Sequence, residues 1–145
     1  MRILKPILFT LCLSAGATLV VSCDDKIEVQ QAYDFSLETM PLKDELFKGE
    51  TAEIRCNLKR DGNYKDATFT IRYFQTDGKG ELRMDDGTIF LPNDSYPLNN
   101  EQFRLYYTSH CDEQQSIDIY IEDNFGQKQK YTFEWTNNSD YDGVE

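Results

Sequence analysis

The stretch "SIDIYIEDNFGQKQKYTFEW", Ser116 to Trp135, decides the fold. Ile117, Ile119 and Ile121 alternate with Asp118, Tyr120 and Glu122, and Tyr131, Phe133 and Trp135 alternate with Lys130, Thr132 and Glu134. Successive side chains on a strand point to opposite faces, so an apolar residue at every second position marks a half-buried strand. Between the two runs stands Asp123-Asn124-Phe125-Gly126. Asn and Gly adopt positive φ cheaply, so this tetrapeptide joins the runs as an antiparallel hairpin.

The same period runs back through the chain. From Ile27 the odd positions read Ile27, Val29, Gln31, Tyr33, Phe35 and Leu37, a half-buried strand with a break near Gln31. Ala52, Ile54, Cys56 and Leu58 form a second apolar face, Phe69, Ile71 and Tyr73 a third. Ile89-Phe90-Leu91 is a short apolar piece, and Phe103, Leu105 and Tyr107 make another strand. Asp61-Gly62-Asn63, Asp77-Gly78-Lys79-Gly80, Asp85-Asp86-Gly87, Pro92-Asn93-Asp94 and Tyr96-Pro97 read as turns. About seven short strands, each with one apolar face, predict an all-β chain: a single immunoglobulin-like β-sandwich of antiparallel strands over residues 27–136. The terminal hairpin resembles the last hairpin of bacterial immunoglobulin-like domains. No tryptophan stands in the third strand and no Tyr-x-Cys precedes Cys111, which sets the chain apart from antibody domains. A closed barrel is the alternative. The polar stretch 137–145 is expected to be a flexible tail.

The first 22 residues read as an export signal. Arg2 and Lys5 are basic, and Ile7 to Val21 carries no charge. That run is shorter than the ~20 residues of a spanning helix, and its flanks fit a signal peptide. Val20-Val21-Ser22-Cys23 resembles the lipobox of bacterial lipoproteins. The resemblance implies that the signal is removed and that Cys23 carries the lipid, with residues 23–26 as a short linker. Each buried acyl CH₂ contributes about 0.8 kcal/mol, so two or three chains hold a domain stably at a membrane. The expected location is the cell envelope, at the outer membrane. Asp24 and Asp25 fit either a surface-export signal of Bacteroidetes lipoproteins or a solvated linker.

Removing residues 1–22 leaves 123, the size of one domain. It takes two of the 15 basic residues and none of the 26 acidic ones, so the net charge moves from −11 to −13. No Lys/Arg cluster longer than Lys59-Arg60 is present, which argues against direct nucleic-acid binding. Of the four cysteines, Cys12 leaves with the signal and Cys23 takes lipid. Cys56 and Cys111 remain in an oxidising setting, where a disulfide between them is expected to close a loop and contribute about 4 kcal/mol. The alternative is two free thiols packed as small hydrophobes.

Catalytic chemistry is not legible. The one histidine, His110, lies in Ser109-His110-Cys111-Asp112. Neighbours on a strand face opposite ways, so adjacency builds no nucleophile–base pair. Asp61 to Asp66 lacks the third acidic position, the glycine and the distal Glu of an EF-hand loop. His and Cys are too few for a zinc site, and no metal or other cofactor is expected. What remains is surface. Alternation sends Phe74 and Tyr120 outward on strands that would be neighbours, with Arg72 beside them, and exposed aromatics with arginine are common anchors of protein contacts. Isolated cross-strand aromatics are the plainer reading.

The whole chain resembles the TraQ-type lipoproteins of Bacteroidetes conjugative transposons. "ETAEIRCNLKRDG" (50–62), "ATFTIRYFQTDGKGELRMDDG" (67–87), "PNDSYPLNN" (92–100) and "FRLYYTSHCDEQQSIDIYIEDNFGQ" (103–127) carry the likeness. It implies a membrane-anchored, non-enzymatic envelope component of a conjugative DNA-transfer apparatus, with protein components of that machinery as partners. No catalytic or binding residue follows from it. The competing readings are a glycan- or ligand-binding surface lipoprotein and a structural subunit of a surface fibre, with residues 27–37 as its exchangeable strand.

Overall fold

The computed structural model describes residues 33–63 and 65–137. Among these every regular element is a strand: β1 (Phe35–Thr39), β2 (Thr51–Arg60), β3 (Phe69–Asp77), β4 (Gly80–Met84), β5 (Tyr96–Leu98), β6 (Gln102–Ser109), β7 (Gln115–Asp123) and β8 (Lys128–Trp135). They form two four-stranded sheets, in the orders β1-β2-β6-β4 and β5-β3-β7-β8, with every named strand pair antiparallel. The first order is that of strands A-B-E-D of a constant-type immunoglobulin sheet, and β3-β7-β8 is C-F-G, with β5 added at the edge.

The period-two residues fill the space between the sheets. Ile54, Ile71, Leu82, Leu105, Tyr107, Ile117, Ile119 and Ile121 are wholly buried. The hairpin forms as expected, with Gly126 at φ +87° and the Asp123 carboxylate accepting the Phe125 and Gln127 amides at 3.0 and 2.8 Å. Trp135 lies parallel to Tyr107, ring centroids 4.9 Å apart, so the last strand is pinned to the opposite sheet.

Two crossovers close the sides of the sandwich. On one side Thr136 donates to the Asp44 carbonyl and accepts from the Leu46 amide, and the Tyr131 hydroxyl accepts the Leu37 amide at 2.7 Å. On the other, the Phe90 ring packs edge-on against Tyr96 and near Tyr73, while the Asn93 amide donates to the Tyr73 carbonyl. Ile89-Phe90-Leu91 is therefore a plug and not a strand: Phe90 is buried, its neighbours are exposed, and only an isolated bridge joins Arg83 to Ile89.

Two strands escape the alternation. β4 is five residues between two turns, where Leu82 and Met84 give only two inward positions. β5 contains Pro97, which reads as a breaker but is tolerated on an edge strand. Ile27 to Ala32, the first part of the expected N-terminal strand, and the lipidation position Cys23 lie outside the described residues.

Candidate interaction surfaces

The sheet β5-β3-β7-β8 turns Arg72, Phe74 and Tyr120 to one outer face, as alternation requires. Register places Arg72 opposite Tyr120 and Phe74 opposite Asp118. The Phe74 and Tyr120 rings meet diagonally, edge to face, with centroids 5.5 Å apart at 84°. The expected group is thus assembled, but its members are half-buried rather than exposed. β8 supplies the cover: Lys128 and Lys130 bring their ammonium groups to 5.2 and 6.0 Å from the Tyr120 ring centre. Lysine stems lie along apolar surface while the charged heads reach water.

Those lysines are themselves tied down. Lys130 pairs with Asp118 at 3.2 Å, and Lys128 with Glu122 at 3.2 Å. Asp118 is only 7% exposed and also accepts the Thr132 hydroxyl at 2.7 Å, so this outward carboxylate is buried and satisfied. Its hydrogen bond and its negative charge raise the Lys130 pKa above the ordinary lysine value. Arg72 differs: its Nε is buried with no hydrogen-bond partner among the described residues.

The cysteine pair expected as a disulfide is not one. Cys56 and Cys111 are free thiols. Cys56 is paired across the sheet with Phe103 near the start of β6, whereas Cys111 follows the end of that strand. At about 3.3 Å per residue the two are roughly 20 Å apart along β6, against the ~7 Å limit between Cα atoms for a bridge. Cys56 packs as a small hydrophobe; burial pushes its pKa up to about 12, helped by the charge of Asp85. Cys111 is half-buried and its sulfur accepts the Lys79 amide at 3.2 Å.

The turn after β6 assembles no nucleophile and base. The Ser109 hydroxyl is committed to the Cys111 carbonyl at 3.0 Å, and His110 is exposed. No three His, Cys, Asp or Glu side chains gather as metal ligands would, among the described residues.

Two features were not legible beforehand. One is a buried polar tie between the sheets. The Tyr107 hydroxyl of β6 donates to Gln115 Oε1 at 2.8 Å and accepts from Gln75 Nε2 at 2.9 Å, both on the facing sheet. Burial pushes the Tyr107 pKa up to about 12. That hydroxyl occupies the space where Gly80 lacks a Cβ. The other lies on the outer face of β2 and β6, where Arg55 stands directly opposite Arg104 and Asn57 opposite Gln102. The first depends on how the two sheets face each other and the second on strand register, and neither can be read from alternation alone.

Fold and faces define an immunoglobulin-like β-sandwich whose distinguishing chemistry lies on the outer surfaces of its two sheets. The chain belongs to the TraQ conjugal transfer protein family, whose model matches residues 6–138. Three solved structures are similar to it. A conjugative transposon lipoprotein from Bacteroides eggerthii is 48% identical, with TM-score 0.67, covering 70% of this chain and 95% of that one. A lipoprotein from Bacteroides thetaiotaomicron is 51% identical, with TM-score 0.69, covering 83% and 96%. A conjugate transposon protein from Bacteroides vulgatus is 47% identical, with TM-score 0.67, covering 81% and 95%. No curated protein matches. The family places the chain among conjugation-associated components.

Proposed function

We propose that this chain is a membrane-anchored, non-enzymatic interaction component of a conjugative DNA-transfer apparatus. The observation that carries the reading is family similarity over residues 6–138, joined to a relative described as a conjugative transposon lipoprotein. In this reading residues 1–22 are removed and Cys23 bears the lipid. Residues 23–26 are the linker, 27–136 the sandwich and 137–145 a polar tail. The anchor holds the sandwich at the outer membrane, where it meets protein components of the machinery and does not touch DNA. Its net negative charge and the absence of a Lys/Arg cluster in the sequence support the last point.

Within this reading the partner surface is the outer face of β3 and β7. Aromatic and arginine side chains are the usual energetic centres of protein contacts. Phe74 and Tyr120 supply the apolar contact there, and Arg72 brings a half-buried guanidinium. The test is the double substitution Phe74→Ala with Tyr120→Ala introduced into the element. The chain is expected to fold, reach normal levels and transfer DNA less often. Parental transfer frequency from a folded double variant would remove this face as the partner site.

A further inference from the structure

The outer face of the other sheet carries a second, chemically different site. Arg55 and Arg104 are direct cross-strand neighbours, an arrangement that like charges disfavour. One carboxylate oxygen holds them together: Glu53 Oε1 lies 3.2 Å from Arg55 Nε and 3.2 Å from Arg104 Nη1. Each guanidinium has five N–H donors, and the two side chains remain 55% and 53% exposed. Beside them is a cleft of about 390 Å³ whose lining includes Met40, Arg55, Asn57, Asp85, Gln102 and Arg104. That volume is near the lower end for a ligand pocket, about 300–1,000 Å³.

The acidic groups around the cleft already have partners. Glu38, on its wall, lies 3.7 Å from Lys59. Asp85 accepts the Arg104 amide at 3.1 Å through its carboxylate, and its own amide donates to the Arg104 carbonyl. Glu53 is shared between two arginines. Among the described residues, donors without a partner remain on the two guanidinium forks and on the side-chain amides of Asn57 and Gln102. Met40, 58% exposed, offers an apolar contact at the rim.

We infer that this cleft is a carboxylate-binding site, and that its occupant is a segment of a protein partner presenting one Glu or Asp carboxylate. A guanidinium fork matches a planar carboxylate in two parallel hydrogen bonds. Arg55, Arg104 and Glu53 together carry one positive charge and Asp85, held by the Arg104 amide, offsets it, so the site selects one carboxylate by its fork of donors and not by net charge. A polyanion is disfavoured, because Glu38, Glu53 and Asp85 ring the site and the sequence as a whole is acidic. The opposed amides of Asn57 and Gln102 can bond a peptide backbone, and Met40 can cover its side chains. The site lies on the opposite sheet from Phe74 and Tyr120 and stands whether or not that face binds a partner.

The test is NMR titration of the ¹⁵N-labelled full chain in detergent micelles, reading the Arg Nε–H and the Asn and Gln side-chain amide signals. Three probes are used: acetyl-Ala-Glu-Ala-amide, its Gln counterpart and inorganic phosphate. Saturable shifts at Arg55, Arg104, Asn57 and Gln102 are expected with the Glu peptide, and binding about ten-fold weaker or less with the other two. Arg55→Gln with Arg104→Gln should abolish saturation while the backbone spectrum stays folded. Arg55→Lys with Arg104→Lys keeps the charge, loses the fork and should still weaken binding about ten-fold. Lys128→Gln with Lys130→Gln, on the other sheet, should leave the affinity unchanged. No saturable shift with the Glu peptide would overturn the inference. So would equal binding of phosphate, or full affinity in the double Gln variant.

Discussion

The two outer faces of the sandwich have similar ingredients and different states of completion. Both carry cations beside carboxylates and an aromatic ring, Tyr120 on one face and, under the Arg83 guanidinium, Tyr106 on the other. On the β3-β7-β8 face each lysine has its own carboxylate, and the Tyr120 ring is covered by lysines and Phe74. On the β2-β6 face two arginines share one carboxylate oxygen and remain half-exposed. The difference is one of stoichiometry. Lysines with one anion each are satisfied and leave recognition on their face to the aromatic pair and Arg72, whereas two arginines that share one anion keep charged donors for another molecule.

The core beneath both faces sets the largest effect. Ile119→Asp places an unpaired charge where Ile119 is wholly buried. It should cost more than ~4 kcal/mol, enough to unfold the domain and erase both faces together. Circular dichroism melting checks it; a variant that melts cooperatively near the parent temperature would mean that the faces do not depend on this core.

Next is the tie between the sheets. Gly80→Ala puts a Cβ against the Tyr107 hydroxyl and 2.6 Å from the Thr108 carbonyl oxygen. Backbone cannot yield as a flexible side chain does, so a loss of about 1–3 kcal/mol is expected in urea denaturation. A single transition at lower urea indicates two sheets that unfold as one; two transitions would separate them.

The substitutions on the faces themselves are smaller. Phe74→Ala with Tyr120→Ala removes an edge-to-face contact of about 0.5–1.5 kcal/mol beyond the area that the half-buried rings cover, and the domain should stay folded because the lysines above the rings keep their carboxylates. A much larger loss would make the aromatic pair part of the core and not of a surface. Glu53→Gln leaves the opposed arginines without their shared charge. It should cost about 0.5 kcal/mol, screened away by salt, since exposed ion pairs contribute little. If Lys130→Gln and Glu53→Gln show the same salt dependence, the contrast between the faces fails.

Alternation made most of this structure legible and register hid the rest. Ile117, Ile119 and Ile121 announce β7, and Phe74 and Tyr120 were sent to one face because inward positions are two residues apart. β4 was hidden because only Leu82 and Met84 mark it between glycine-bearing turns, and β5 because Pro97 is harmless at an edge. The disulfide expectation failed for a related reason. One cysteine on the apolar face of β2 and another in a later turn say nothing about which end of the sheet each reaches, and here the length of β6 separates them. Arg55 opposite Arg104 is likewise a fact of register, since a slip of one residue would send either side chain into the core.

The central claim is that the chain serves DNA transfer as an anchored component, and Cys23→Ala in the element tests it most directly. Transfer frequency is measured beside a deletion of the gene, with membrane fractionation and acyl labelling of the variant. The account predicts loss of the label, release from the membrane fraction and transfer reduced to the deletion level, although the sandwich still folds. An unlabelled, released variant that supports transfer at the parental frequency would contradict it.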